Sequence, residues 1–345
     1  MTTDHDAEPL PTLRLKAPGD LLQAIPYLLG FHPKASLVLV GLSAGALVVT
    51  VRVDLSDLAQ ADVLAETIAA MRRGAAEELI GAVYDDGAEP TRSGSALPWA
   101  GVAPAIDREC LRLGCELTAV LLVVGQRWWS YLCKDPTCCP QEGRPVSAGP
   151  SVVSAAATYA GMVALPDRET LAAVLDPQPE DVRAALFPLV AEEEDSAVRA
   201  VLDASAERRE RAVKRAIFSA ARDSEEPGWP GGVALDDATV ARFAVALSGR
   251  PTRDAVWMAV DDGRLDGRAL WRDLARRLPQ PYDAAPLFLF GWASWRAGSG
   301  ALAGIAADRA VASDPGYSAA DLLLAALARG MDPRQLPKLR LPRSA

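Results

Sequence analysis

The sequence predicts an α/β fold, a three-layer N-terminal domain around a mixed sheet, followed by an all-α helical domain with a tetratricopeptide-like hairpin. Three observations carry this. Before residue 165, apolar runs of strand length alternate with amphipathic helical segments and hairpin turns. Hairpins impose antiparallel neighbours, whereas helical crossovers favour parallel ones, so the sheet is mixed. From Ser151 onward strand signals vanish. A chain of 345 residues also suffices for about two domains, each with its own core. The expected division is a disordered tail over 1–10, an α/β domain over 11–165, an all-α domain over 166–330 and an extended basic tail over 331–345.

A short strand is expected around Thr12 to Leu15. In Pro18 to Gly41, Asp20 precedes Leu21, Leu22 and Ile25 and is placed to cap a helix. Pro26 lacks an N–H and is expected to kink that helix, and Gly30 to end it. Leu37 to Val40 is too short for a buried helix and suits a strand covered on both faces. Ser43-Ala44-Gly45 turns it into a second strand, Leu47 to Val53, with Val49, Val51 and Val53 on one side and Thr50 and Arg52 on the other. A helix over Asp57 to Arg73 buries Val63, Leu64, Ile68 and Met71. Then come a strand over Leu79 to Tyr84, a helix over Pro98 to Leu113, a strand over Leu117 to Val124 and, past Gly125-Gln126, a hairpin partner over Trp128 to Leu132. The strand order is not readable.

Helices are expected over Val152 to Met162, Arg168 to Leu175, Pro179 to Leu189 and Ser196 to Arg222. Gly228 to Gly232 is a loop. Val240, Phe243, Ala244 and Leu247 mark one apolar stripe, and Leu270, Trp271, Leu274 and Leu278 another. Leu287, Phe290, Gly291, Ala303, Ala310 and Pro315 fall at the offsets of one tetratricopeptide-like helix pair, followed by a helix over Ser318 to Arg329. About one and a half such units are visible, short of the three or so that a solenoid needs. A local helical hairpin is therefore expected in preference to a peptide-binding array. The tail MDPRQLPKLRLPRSA is either disordered or lies across the body.

Three stretches together resemble a known family. DLLQAIPYLLGFHPKASLVLVGL, the loop CKDPTCCPQEGRP and the Pro315-Gly316-Tyr317 region are similar to blocks of the actinobacterial family called domain of unknown function 4192. The likeness spans most of the chain. It implies membership and assigns no catalytic residue.

A net charge of -9 disfavours general binding to nucleic acid or anionic membrane, which clustered Lys and Arg attract. The acidic start, MTTDHDAEPLP, lacks the basic and apolar regions of a signal peptide, and no segment reads as a membrane span. A cytoplasmic protein is expected. Its five cysteines are then reduced by default, and a cluster among them reads as a metal or redox site before a disulfide.

That cluster is Cys133, Cys138 and Cys139. Three thiols within one loop are candidate zinc ligands, although adjacent cysteines are expected to point apart, and a fourth ligand must come from His32, Asp135, Cys110 or Cys115. A reactive-thiol site and a structural loop are the other two readings. His32, in the turn Phe31-His32-Pro33, is a candidate base or ligand, or else a ring that fixes its turn by a backbone hydrogen bond. Arg127, Lys134 and Arg144 bracket the loop and are placed to grip an anionic ligand, or are simply solvated. Trp128-Trp129 is expected to put one ring in the core and one outside. The Glu192 to Asp195 run and the basic stretch RRERAVKR are expected to pair with one another or with water. A Gly-x-Ser-x-Gly elbow and a phosphate-binding Gly-Lys-Ser/Thr loop are both missing from the sequence.

These features point first to a cytosolic, non-enzymatic binding or scaffold module with a protein partner. The alternative is an enzyme or metal or redox sensor whose site lies between the His32 turn and the Cys133 to Arg144 loop, with zinc as the candidate cofactor.

Overall fold

A computed structural model describes residues 17–90, 96–146, 151–225 and 235–339. The expected tail over 1–10, the strand at Thr12 to Leu15, the Gly228 to Gly232 loop and the end of the basic tail fall outside the described residues. The chain divides into two compact units, Met1–Leu171 and Ala172–Ala345.

The first unit opens with α1 (Pro18–Leu29). Pro18 occupies the first turn, where its missing N–H has no helical partner to lose. Asp20 therefore lies inside the helix and is not its cap, and its carboxylate reaches back to accept the Ala17 N–H at 3.1 Å. Gly30 closes α1 with φ 84°, the left-handed geometry that costs glycine least. Next, β1 (Ser36–Ser43) and β2 (Ala46–Asp54) pair antiparallel. Ala44 and Gly45 between them take φ 48° and 75°, which gives a two-residue turn the twist that a hairpin requires.

The unit continues with α2 (Ala61–Arg73), β3 (Glu78–Tyr84), α3 (Val102–Leu113), β4 (Glu116–Val124), β5 (Arg127–Ser130) and β6 (Arg144–Pro145). Among the described residues the sheet is six-stranded, in the order β2-β1-β3-β4-β5-β6. β3 and β4, joined through α3, run parallel; the other neighbours are antiparallel.

Strand alternation sorts the side chains onto two faces. On the first, Leu37, Leu39, Leu79, Val83, Val120 and Leu122 pack with Ile68 and Met71 of α2 and Ile106 of α3. On the second, Val38, Val40, Ala82 and Leu121 are also buried. Arg52 points to this second face and stands 6.0 Å from the centre of the Phe31 ring, so the chain leaving α1 lies there. α1 packs against α4 (Val152–Tyr159). Helices thus cover a mixed sheet on both sides.

Past residue 165 the chain stays with this unit. The Leu165 N–H donates to Gly30 O at 2.8 Å, the His32 N–H donates to Leu165 O at 2.9 Å, and Lys34 Nζ pairs with Asp167 at 3.2 Å. Asp167, which also accepts hydrogen bonds from the Thr170 hydroxyl and N–H, is held down to a pKa of about 2, first by those bonds and then by Lys34. α5 (Arg168–Ala172) follows.

The second unit is helical: α6 (Glu180–Ala184), α7 (Phe187–Leu202), α8 (Ala206–Asp223), α9 (Asp237–Ser248), α10 (Arg250–Asp261), α11 (Arg268–Arg277), α12 (Ala284–Arg296), α13 (Gly300–Ser313) and α14 (Ser318–Ala328). The single helix expected over Ser196 to Arg222 is two helices. Ala204 turns left-handed at φ 58°, and the Asp203 carboxylate accepts the Ser205 N–H at 3.0 Å, a local bond that competes with helix. α10 is an element the apolar stripes did not reveal.

Acidic and basic runs meet at Glu193, which pairs with Arg209 and, at 3.3 Å, with Arg242. At Gly291 of α12 a Cβ would stand 3.2 Å from each of Ala303 O, Ala306 Cβ and Leu323 Cδ2. Glycine there lets α12, α13 and α14 approach, as the tetratricopeptide-like spacing implies. The described start of the basic tail lies across this unit: buried Asp261 accepts the Leu339 N–H at 2.6 Å and the Trp292 indole N–H at 3.1 Å. Among the described residues no helix is long and apolar enough to cross a membrane.

Gly41 of β1 tests the packing of the first unit, because a Cβ there would stand 2.7 Å from Ala76 Cβ and 2.9 Å from Val49 Cγ1. Gly41→Ala is expected to lower stability by about 1–3 kcal/mol, measured by urea unfolding; an unchanged midpoint contradicts the packing.

Candidate functional site

The cysteine loop grows from the outer edge of the sheet. After β5, the Ser130 hydroxyl accepts the N–H groups of Leu132 at 3.3 Å and Cys133 at 3.0 Å, which bends the chain away from its ladder. A turn follows around Asp135. Its carbonyl accepts the N–H groups of Cys138 (3.2 Å) and Cys139 (2.6 Å), while its carboxylate accepts the Thr137 N–H at 2.9 Å and the Thr137 hydroxyl.

In such a helical turn neighbouring side chains diverge by about 100°, against about 180° in a strand. The expectation that Cys138 and Cys139 point apart is therefore overturned. The Sγ atoms of Cys133, Cys138 and Cys139 all lie within 4.8 Å of one another.

Side chains of the edge strands hold the loop by its carbonyls. Arg127 Nη1 donates to Glu142 O (3.0 Å) and Gly143 O (2.8 Å). Trp129 Nε1 donates to Gln141 O at 3.0 Å. Arg144 Nε donates to Cys138 O, and its Nη2 stands 3.5 Å from Thr137 O. Arg127 and Arg144, expected either to grip an anionic ligand or to be solvated, donate to loop carbonyls. Trp128 is buried, and Trp129, expected outside if its neighbour is inside, is half-buried against the first-face core. Gly143, at φ 73°, covers the Trp129 ring so closely that a Cβ would stand 2.5 Å from it.

The thiols are not equivalent. Cys133 and Cys139 are half-buried and Cys138 is exposed. A hydrogen bond from the Cys139 thiol, followed by one from the Asp135 N–H, holds Cys133 below the ordinary thiol range. Burial first, then hydrogen bonding with Cys133 and Cys138, pushes Cys139 up to about 12.

Among the described residues none of the expected fourth ligands joins the group. The Asp135 carboxylate is occupied by Thr137. Cys110 is buried at the end of α3, its carbonyl facing the Cys115 thiol at 3.6 Å, and burial pushes its pKa up to about 12.

His32 is also elsewhere. Ser36 lies opposite Tyr84, and Tyr84 opposite Val123, so His32 lies beyond the end of the sheet where β3 and β4 finish. β5 runs the other way: Ser130 faces Leu121, and the Tyr131 N–H donates to Val120 O. β3 and β4 also stand between β1 and β5, three strand spacings of about 4.8 Å each. A shared site between the His32 turn and the Cys133 to Arg144 loop is not formed. The exposed His32 fixes its turn through its backbone N–H, which donates to Leu165 O at 2.9 Å.

Sequence reasoning missed a second polar group. Gln23 Oε1, Ser36 Oγ, Thr50 Oγ1, Arg52 Nε and the Tyr84 hydroxyl are buried without a hydrogen-bond partner in the protein. The four strand residues lie on the second face, with Ser36 opposite Tyr84. Burial pushes the Tyr84 phenol far up. Buried polar atoms of this kind are commonly met by ordered water. Ser36, Thr50 and Arg52 interrupting apolar strand positions was the available signal.

A family model described as a domain of unknown function, DUF4192, matches residues 18–334. No curated protein and no solved structure matches the chain.

The loop geometry yields a direct test. Gly143→Ala drives a methyl group into Trp129 and is expected to free the loop, speeding alkylation of Cys133 and Cys139 by iodoacetamide while the buried Cys110 stays protected. Unchanged rates at both loop thiols contradict the role given to Gly143.

Proposed function

The chain belongs to the DUF4192 family, which matches it over residues 18–334, and on that premise we propose a non-enzymatic binding module whose α/β unit holds a soft metal ion, Zn²⁺. One observation carries the reading: three thiols from a short loop lie within 4.8 Å of one another. In a tetrahedral site with Zn–S bonds of about 2.3 Å, sulfur atoms stand about 3.8 Å apart. A contraction of at most about 1 Å brings the three thiols to that spacing. Thiolates are soft donors that suit zinc over magnesium or calcium.

Charge separates binding from catalysis. Three thiolates against one Zn²⁺ leave a net negative centre, a poor Lewis acid compared with the histidine-rich zinc of hydrolytic sites. The open fourth position is then a place for an exchangeable donor. Arg127, Trp129 and Arg144 form the outer shell, fixing the carbonyls between and beside the ligands. A reducing cytoplasm suits this reading, since all five cysteines are free and thiols there stay available for metal. A protein partner belongs to the proposal through the helical unit, whose α12 and α13 pair closely at Gly291 as in a tetratricopeptide-like hairpin.

Metal analysis of protein purified without an affinity tag is expected to find one zinc per chain. Cys138→Ser should remove most of it, and Arg144→Ala should weaken affinity by about 10–100-fold, as loss of outer-shell partners does elsewhere. Zinc-free protein, or a Cys138→Ser chain that binds as tightly as the wild type, overturns the reading.

A further inference from the structure

We propose that the three-thiol loop is a redox-gated metal site, in which a hydroperoxide oxidises Cys138 and Cys133 to a disulfide and expels the ion. This rests on the zinc reading above and adds its regulation.

The geometry separates the roles. Cys138 is exposed, whereas Cys133 and Cys139 are half-buried, so an oxidant arriving from solvent meets Cys138 first. Its sulfur attacks one peroxide oxygen, the O–O bond breaks, and Cys138 becomes a sulfenic acid as hydroxide leaves and takes up a proton to become water. A second thiol within 4.8 Å then attacks the sulfenic sulfur, an S–S bond forms, the S–O bond breaks, and a second water departs. In total, two zinc-bound thiolates, one hydrogen peroxide and two protons taken from solvent give one disulfide, two waters and the released Zn²⁺: each sulfur loses one electron and each peroxide oxygen gains one.

Cys133, not Cys139, resolves the sulfenic acid. Consecutive Cα atoms stand about 3.8 Å apart, short of the roughly 4.4 Å at which ordinary disulfides begin, so a Cys138–Cys139 bond strains the peptide between them. Cys133 reaches Cys138 across the turn without that constraint. The new bond consumes two of the three donors, and a lone Cys139 thiolate does not hold zinc.

The arrangement also explains the side chains around the loop. Arg127, Trp129 and Arg144 hold carbonyls over Thr137 to Gly143, leaving the thiols as the part of the loop that changes. Both states are thus built on one frame.

The test uses the full chain loaded with Zn²⁺ and treated with one equivalent of hydrogen peroxide beside a chromogenic chelator. Expected are release of the bound zinc, loss of two thiols per chain, a Cys133–Cys138 cross-linked peptide by mass spectrometry, and recovery of binding after dithiothreitol. Cys110→Ser should behave as the wild type, and Cys139→Ser without metal should still form the cross-link. Zinc retained after oxidation, or a disulfide that excludes Cys133, overturns the redox gate and leaves the metal reading standing. A chain that never takes up zinc overturns both.

Discussion

Burial of the central strands on both faces is the constraint on which the first unit depends. Ser36 to Gly41 of β1 are all buried, with α2 and α3 against one face and the chain leaving α1 on the other. A sheet sealed in this way offers little room for polar chemistry at its centre, and the polar groups that do lie there, Ser36, Thr50 and Tyr84, are enclosed. Exposed functional groups are displaced to the edges. At the β5–β6 edge the ladder is short, β6 being only Arg144–Pro145, and the chain between the two strands is free to form the thiol loop.

The loop in turn depends on hydrogen bonds to its backbone more than on packing. Asp135 winds residues 135–139 into a turn, and that turn brings adjacent cysteines to one side. Arg127, Trp129 and Arg144 then satisfy carbonyls that an exposed loop would otherwise leave to water. The two arginines considered as a ligand grip thus also serve as supports of the loop. Hydrogen bonding draws the Cys133 thiol below its ordinary range and burial pushes the Cys139 thiol above it.

Local chemistry made much of the fold legible. The α1–β1–β2 succession followed from the spacing of Leu21, Leu22 and Ile25, from Gly30 and from the apolar run Leu37 to Val40, and the pair α12–α13 from Gly291 and the small residues facing it. Asp20 was misplaced because Pro18 and Asp20 both mark a helix start and local sequence does not rank them. Ala204 hid the break between α7 and α8, since alanine signals continued helix. For the candidate site, the three cysteines were visible but their convergence was not: it required treating Asp135-Pro136-Thr137 as a turn former rather than extended chain. His32 shows the other limit. Its distance from the loop is set by β3 and β4 standing between β1 and β5, a matter of strand order that no local pattern encodes.

Whether three thiolates of one edge loop share an ion is decided by X-ray absorption at the zinc edge on the zinc-loaded chain. Three sulfurs at about 2.3 Å with one lighter donor are expected around the metal. A shell of nitrogen and oxygen alone would contradict the three-thiolate site.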